Sequence, residues 1–142
     1  MRVLAVDFGE RRLGLAVSDE SGQVVLPIGT IARRSDLQAA GAVAEAARER
    51  AVGRIVVGHP LNADGTEGAF ARRARNFAKK LSELAGLPVD LHGEGLTSHA
   101  AEWNLIEAGV RGGRRDALRD AESAAVLLRD FLFERDSRPR TG

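Results

Sequence analysis

Four apolar residues in a row, Val3-Leu4-Ala5-Val6, run into Asp7-Phe8-Gly9 at the start of the chain. An unbroken run of this length reads as a central strand shielded on both faces, here residues 2–8. Arg12 to Ser18 reads as a second strand and Asp19-Glu20-Ser21-Gly22 as a turn. Val24 to Ile31 follows as a third strand, and Pro27 suits the edge of a sheet. Three strands on short links predict an antiparallel meander. Ser35 with Gln38 makes a capping-box pattern, and Leu37, Ala40, Ala44, Ala47 and Ala51 then recur at helical spacing. Arg54 to Gly58 is another buried strand, and His59 to Thr66 a loop. The clearest helix carries Phe70, Ala74, Phe77, Leu81 and Leu84 on one side and stops at Gly86 and Pro88. Leu87 to His92 reads as a short strand. Thr97 or Ser98 can cap a helix reaching Gly109, Arg111 to Arg115 reads as a flexible basic loop, and Asp116 can cap a last helix reaching Phe133. Without repeats or a linker, the pattern predicts one mixed α/β domain over residues 1–136 and a disordered tail over 137–142.

A chain of 142 residues suits a single domain that buries roughly 68–70% of its unfolded surface. Cysteine is absent, which excludes thiol nucleophiles, zinc-thiolate sites and disulfides. No apolar run approaches the ~18 residues of a membrane span, so the expected location is the cytoplasm and no membrane partner is expected. The net charge is only +1, but its distribution is uneven. Arg72, Arg73, Arg75, Lys79 and Lys80 follow one another without an acid between Gly68 and Ser82. Four arginines lie between Arg111 and Arg119 against the single acid Asp116. Such a face is either solvated or meets phosphate, and arginine's planar fork suits the latter. With aromatics scarce, binding to nucleic acid would be electrostatic and salt-dependent rather than built on base stacking.

Three acids stand where a structural role explains them poorly. Asp7 ends a buried strand, on the same strand face as Val3 and Ala5. Glu94 follows the last strand. Asp120 lies on the stripe Asp120, Ala124, Leu127, Phe131, otherwise the core side of its helix. A first-turn acid gains ~0.3–1 kcal/mol from the helix dipole, which does not explain one aimed inward. If the last helix packs near the end of the first strand, Asp120 faces Asp7. Three carboxylates in one pocket demand cations. Hard oxygen donors select Mg²⁺ or Mn²⁺, and two such ions ~3.5–4 Å apart are a common apparatus for phosphodiester hydrolysis. The histidines His59, His92 and His99 show no metal-ligand spacing, and none is read as the general base.

Asp7-Phe8-Gly9-Glu10-Arg11-Arg12-Leu13-Gly14 and the residues on to Asp19 resemble the opening of the YqgF/RuvX family. Val57 to Glu67 resembles its central loop, Glu94, Leu96 and Thr97 its third motif, and Asp120 to Val126 its last. The four motifs occur in order over nearly the whole chain. The resemblance implies an RNase H-like fold, a mixed five-stranded sheet with helices on both faces. It also implies a nuclease related to Holliday-junction resolvases and assigned to 5′-end maturation of pre-16S rRNA. The family's acidic triad falls on Asp7, Glu94 and Asp120, as catalytic residues and metal ligands. Arg11, Arg12, Arg72, Arg75, Lys79, Arg114 and Arg115 are the expected nucleic-acid contacts. The chain departs from the family at Gly93-Glu94-Gly95, where Asp-Glu-Arg is usual. The expected partner is pre-rRNA or, in the runner-up reading, a four-way DNA junction, bound by a monomer or homodimer. Two rivals remain: a nucleotide-binding domain of the actin-like kind, for which the chain is short of a second lobe, and a non-catalytic RNA-binding factor.

Overall fold

The computed structural model describes residues 1–93 and 112–137, with side chains for 1–93 and 118–135. Five strands, β1 (Val3–Phe8), β2 (Arg12–Ser18), β3 (Val25–Ala32), β4 (Arg54–His59) and β5 (Val89–Gly93), form one sheet in the order β3-β2-β1-β4-β5. The pairs β1–β2 and β2–β3 are antiparallel, whereas β4 runs parallel to both β1 and β5. This is the meander plus two parallel strands expected from the sequence, with Pro27 on the edge strand β3.

The helices among the described residues are α1 (Asp36–Glu49), α2 (Ala69–Ala85) and α3 (Gly112–Ser137). The unbroken apolar run of β1 is divided between two cores. Leu4, Val6 and Phe8 pack with residues of α1 and α2, among them Val43, Phe77 and Leu81. Val3 and Ala5 pack with Ala124, Leu127 and Leu128 of α3. Burial on both faces is why β1 does not alternate. The α1 capping box forms as predicted: Gln38 N–H donates to Ser35 Oγ at 3.1 Å. The buried face of α1 is mostly alanine, while Leu37 stays 61% exposed. In α2 the small residues Ala71 and Ala78 are buried, whereas Leu84 is largely exposed.

The C-terminal third differs from expectation. Gly112 to Arg115 is the beginning of α3, not a loop, so Asp116 lies inside the helix instead of capping it. Asp120 is therefore about two turns into α3, beyond the first turn to which dipole stabilisation is confined. The helix also continues past Phe133 to Ser137, the first residue of the expected tail; 138–142 lie outside the described residues. The helix expected between Thr97 and Gly109 lies outside them too. Among the described residues, no helix is long and apolar enough to cross a membrane.

Candidate active site

Strand alternation sends Phe8 to the α1/α2 side, where it meets Phe70 and Phe77 at centroid distances of 5.4 and 5.0 Å. Asp7, next to it, faces α3 with Val3 and Ala5. Its antiparallel partner is Gly14 of β2. Directly opposed residues share a sheet face, with Cα atoms about 4.5–5.5 Å apart. A Cβ placed on Gly14 would lie 1.8 Å from the Asp120 carbonyl oxygen and 2.2 Å from its carbonyl carbon. The helix backbone thus rests directly on Gly14, and only a residue without a side chain permits that approach. Asp7 and Asp120 consequently flank the same glycine.

Asp120 is partly buried, with 18% of its side chain exposed, and accepts a hydrogen bond from Arg12 Nε at 2.7 Å. Arg12 opens β2, two residues before Gly14 and on the same strand face. Arg11 is exposed on the preceding turn. That turn is fixed by Arg33, which the sequence reading did not single out. Its guanidinium donates to the Gly9 carbonyl at 3.0 Å and the Glu10 carbonyl at 2.5 Å, pairs with Asp36 at 2.8 Å and lies 5.0 Å over Phe8. The turn also needs Gly9, since a Cβ there would stand 2.4 Å from the Arg12 carbonyl oxygen.

Beyond β4 the central loop is internally bonded. Asn62 N–H donates to the Thr66 carbonyl and Gly65 N–H to the Asn62 carbonyl, both at 2.9 Å. Asp64 accepts from Thr66 Oγ1 at 2.6 Å and from Thr66 N–H at 3.0 Å. The Thr66 hydroxyl first, and its amide second, hold the Asp64 carboxyl below its ordinary value. A depressed folded value means that these bonds stabilise the loop at neutral pH and lose their contribution as pH falls through the Asp64 titration, below about 3.8. An NMR titration should show the Thr66 amide shifting in that acid range; an Asp64 midpoint at or above the ordinary value would contradict the assignment. Glu67 closes the loop, 2.9 Å from His59 Nε2 and 3.0 Å from Arg75 Nη2.

The other expected site residues separate into distinct places. Arg72, Arg75 and Lys79 are exposed on α2, on the side of the sheet away from Asp7. Glu94, one residue beyond the end of β5, lies outside the described residues, as do the side chains of Arg114 and Arg115. A second donor group was not anticipated. His92 Nε2 is 2.7 Å from Asp130 Oδ2 and 3.3 Å from Glu134 Oε2, and its ring meets Phe131 edge-on at 5.8 Å. Its partners come from α3, 38 residues and more along the chain, so no local spacing could reveal it. His92 and Glu134 also line a cavity of about 360 Å³ with Arg54 and Asp90. That cavity lies over β4 and β5, not between Asp7 and Asp120, and its Arg54–Asp90 pair at 2.7 Å already balances charge.

The fold, a mixed sheet in the order 3-2-1-4-5, is similar to that of solved resolvases. RuvC of Thermus thermophilus in complex with a Holliday junction substrate superposes with a TM-score of 0.60 at 18% identity, covering 96% of this chain and 97% of that one. The fowlpox virus resolvase with Holliday junction DNA gives 0.59 at 10% identity, covering 94% and 98%. At such identities the likeness is one of fold, and the class is RNase H-like. At the level of sequence, the family model described as RuvX, Holliday junction resolvase, matches residues 1–134. A protein of Anaeromyxobacter sp. (strain K) is 45% identical over 135 residues, 95% of this chain and 98% of its own length. One of Symbiobacterium thermophilum is 41% identical over 139 residues, 98% and 96% of the two chains. Both bear the provisional name pre-16S rRNA nuclease. The chain belongs to the RuvX family.

Proposed function

We propose that this chain is a cytoplasmic nuclease that uses divalent metal to hydrolyse phosphodiester bonds in structured RNA, with the 5′ end of precursor 16S rRNA as its substrate. The reading rests on Asp7 standing opposite Gly14 in the β1–β2 ladder and on the backbone of Asp120 lying against that same glycine. Membership of the RuvX family and the names of the relatives support the nuclease class.

The donor set fits a hard cation. Asp7 and Asp120 offer carboxylate oxygens from two rigid elements, and Asp120 already receives the positive charge of Arg12. Glu94, next after β5, is the third ligand in this reading. A bound Mg²⁺ or Mn²⁺, singly or as a pair, supplies an acidified water and stabilises the leaving oxygen. The chain's own residues do the rest. The two aspartates concentrate negative charge at one end of the sheet, and Arg12 fixes the orientation of Asp120 until substrate arrives. Arg11, on a turn held by Arg33, is free of the sheet's packing and meets the phosphate backbone. Arg114 and Arg115, in the first turns of α3, are assigned the same task.

The second reading is resolution of four-way DNA junctions, favoured by the description of the family itself. Paired cuts require a symmetric dimer. Purified protein should be incubated with Mg²⁺ or Mn²⁺ and either a precursor rRNA carrying its 5′ leader or a four-way DNA junction, with chelator controls. The expected result is chelator-sensitive trimming of the RNA by a protein that sediments as a monomer or a weak dimer. Paired incisions in the junction alone, with a stable dimer, would replace the first reading by the second. Salt-sensitive binding without cleavage of either would leave a non-catalytic RNA-binding factor.

A further inference from the structure

Helix α2 presents a cationic face that the acid pair does not use. Arg72, Arg73, Arg75, Lys79 and Lys80 are all exposed, and no acid occurs in α2 before Glu83. At 100° per residue the five occupy an arc of about 160°, and from first to last they climb about 12 Å. The upper end of this track is anchored: Arg75 pairs with Glu67, Arg72 approaches the same carboxylate at 3.9 Å, and Arg73 lies 5.8 Å over Phe70. Glu67 in turn holds His59, the last residue of β4. The preceding residue, Gly58, is one step along from Val57, which pairs with Val6, so it stands level with Asp7. The track therefore starts at the sheet end that carries Asp7 and descends the opposite face. Its lower end, Lys79 and Lys80, has no ion pair among the described residues.

This placement sets a size requirement. Phe77 of α2 stacks on Phe8, whose side chain points away from that of Asp7. A helix with its side chains is about 10–12 Å across, so the outer face of α2 stands at least that far behind the sheet. A short strand lying in the acid site cannot reach it. A substrate with a second, paired arm, folded around the end of the sheet, can.

Resting on the nuclease reading above, we infer that the outer face of α2 binds the sugar-phosphate backbone of a paired arm of the same RNA substrate, on the side of the sheet opposite the cleaved strand. The contacts are made to phosphates by arginine and lysine, so the surface measures the presence of an arm and not its sequence. It makes the enzyme selective for RNA in which a helix adjoins the cut.

The test uses the full chain and a plain RNA duplex as the arm probe, followed by fluorescence anisotropy over a range of salt. The double variant Lys79→Gln, Lys80→Gln should bind the duplex roughly tenfold more weakly, and its slope of log affinity against log salt should be shallower by about 2, one per lost phosphate contact. In cleavage, adding a paired arm beside a fixed cleavable segment should raise kcat/KM for the parent and add little for the variant. Unchanged duplex affinity and slope in the variant, or an arm that still raises its kcat/KM as fully as the parent's, would overturn the proposal. The nuclease reading fails separately, by an Asp7→Asn enzyme that cuts like the parent; duplex binding, measured without turnover, does not depend on that result.

Discussion

Asp7→Asn is expected to slow cleavage about a thousandfold while leaving affinity for RNA nearly unchanged. The substitution keeps the size of the side chain and removes its charge. Several kcal/mol of electrostatic stabilisation at the reacting phosphate, at 1.36 kcal/mol per decade, corresponds to a loss of that order. Asp7 reaches from the central strand β1, flanked by β2 and β4, so neighbouring residues cannot move in to replace it. Nucleic-acid affinity comes from arginines and lysines elsewhere and should survive. Single-turnover cleavage and anisotropy on the same RNA read the two quantities, and calorimetry with Mn²⁺ adds a third. Weakened Mn²⁺ binding together with lost turnover would support the acid pair as the metal site. Parental turnover in the variant would end the assignment of Asp7.

The second large effect belongs to a residue with no chemistry of its own. Gly14→Ala should destabilise the fold by at least about 1–3 kcal/mol, the usual cost of overpacking, and should reduce Mn²⁺ binding as well. The methyl group would meet the Asp120 carbonyl oxygen at 1.8 Å and the Ala121 nitrogen at 3.0 Å, and these are backbone atoms that cannot rotate aside. The helix must move off the sheet, taking Asp120 away from Asp7 and loosening Ala124, Leu127 and Leu128 in the core beneath it. Thermal unfolding and Mn²⁺ calorimetry on one preparation would follow both consequences. An alanine variant with parental Tm would show that α3 does not rest on Gly14.

Much of this was legible in the sequence because the strongest signals are local. Val3 to Val6 announces a strand covered on both faces, Ser35 and Gln38 announce the start of α1, and the spacing from Phe70 to Leu81 announces α2. Asp120 could be suspected from its place on an apolar stripe, since an acid among Ala124 and Leu127 contradicts the pattern around it. The start of α3 was misread because Gly112 and Gly113 have poor helix propensity, which the wider packing of α3 on β1, β2 and β3 overrides. Arg33 was missed for a different reason: it bonds to carbonyls of a turn some 23 residues earlier, and backbone acceptors leave no trace in sequence. The same holds for Gly14, one small residue in a strand, whose purpose is visible only when the helix lying on it is present.

Arg12 and Asp120 are separated by 108 residues. The proposed site thus draws one aspartate from β1 and another from α3, far apart in the order of synthesis. A nascent chain still lacking α3 exposes Asp7 but has no Asp120 to set beside it, whatever the maturity of its sheet. Translation itself thereby delays the pairing of the two acids until α3 has been made, a useful order of events for a protein whose proposed target is the RNA of the machine that makes it.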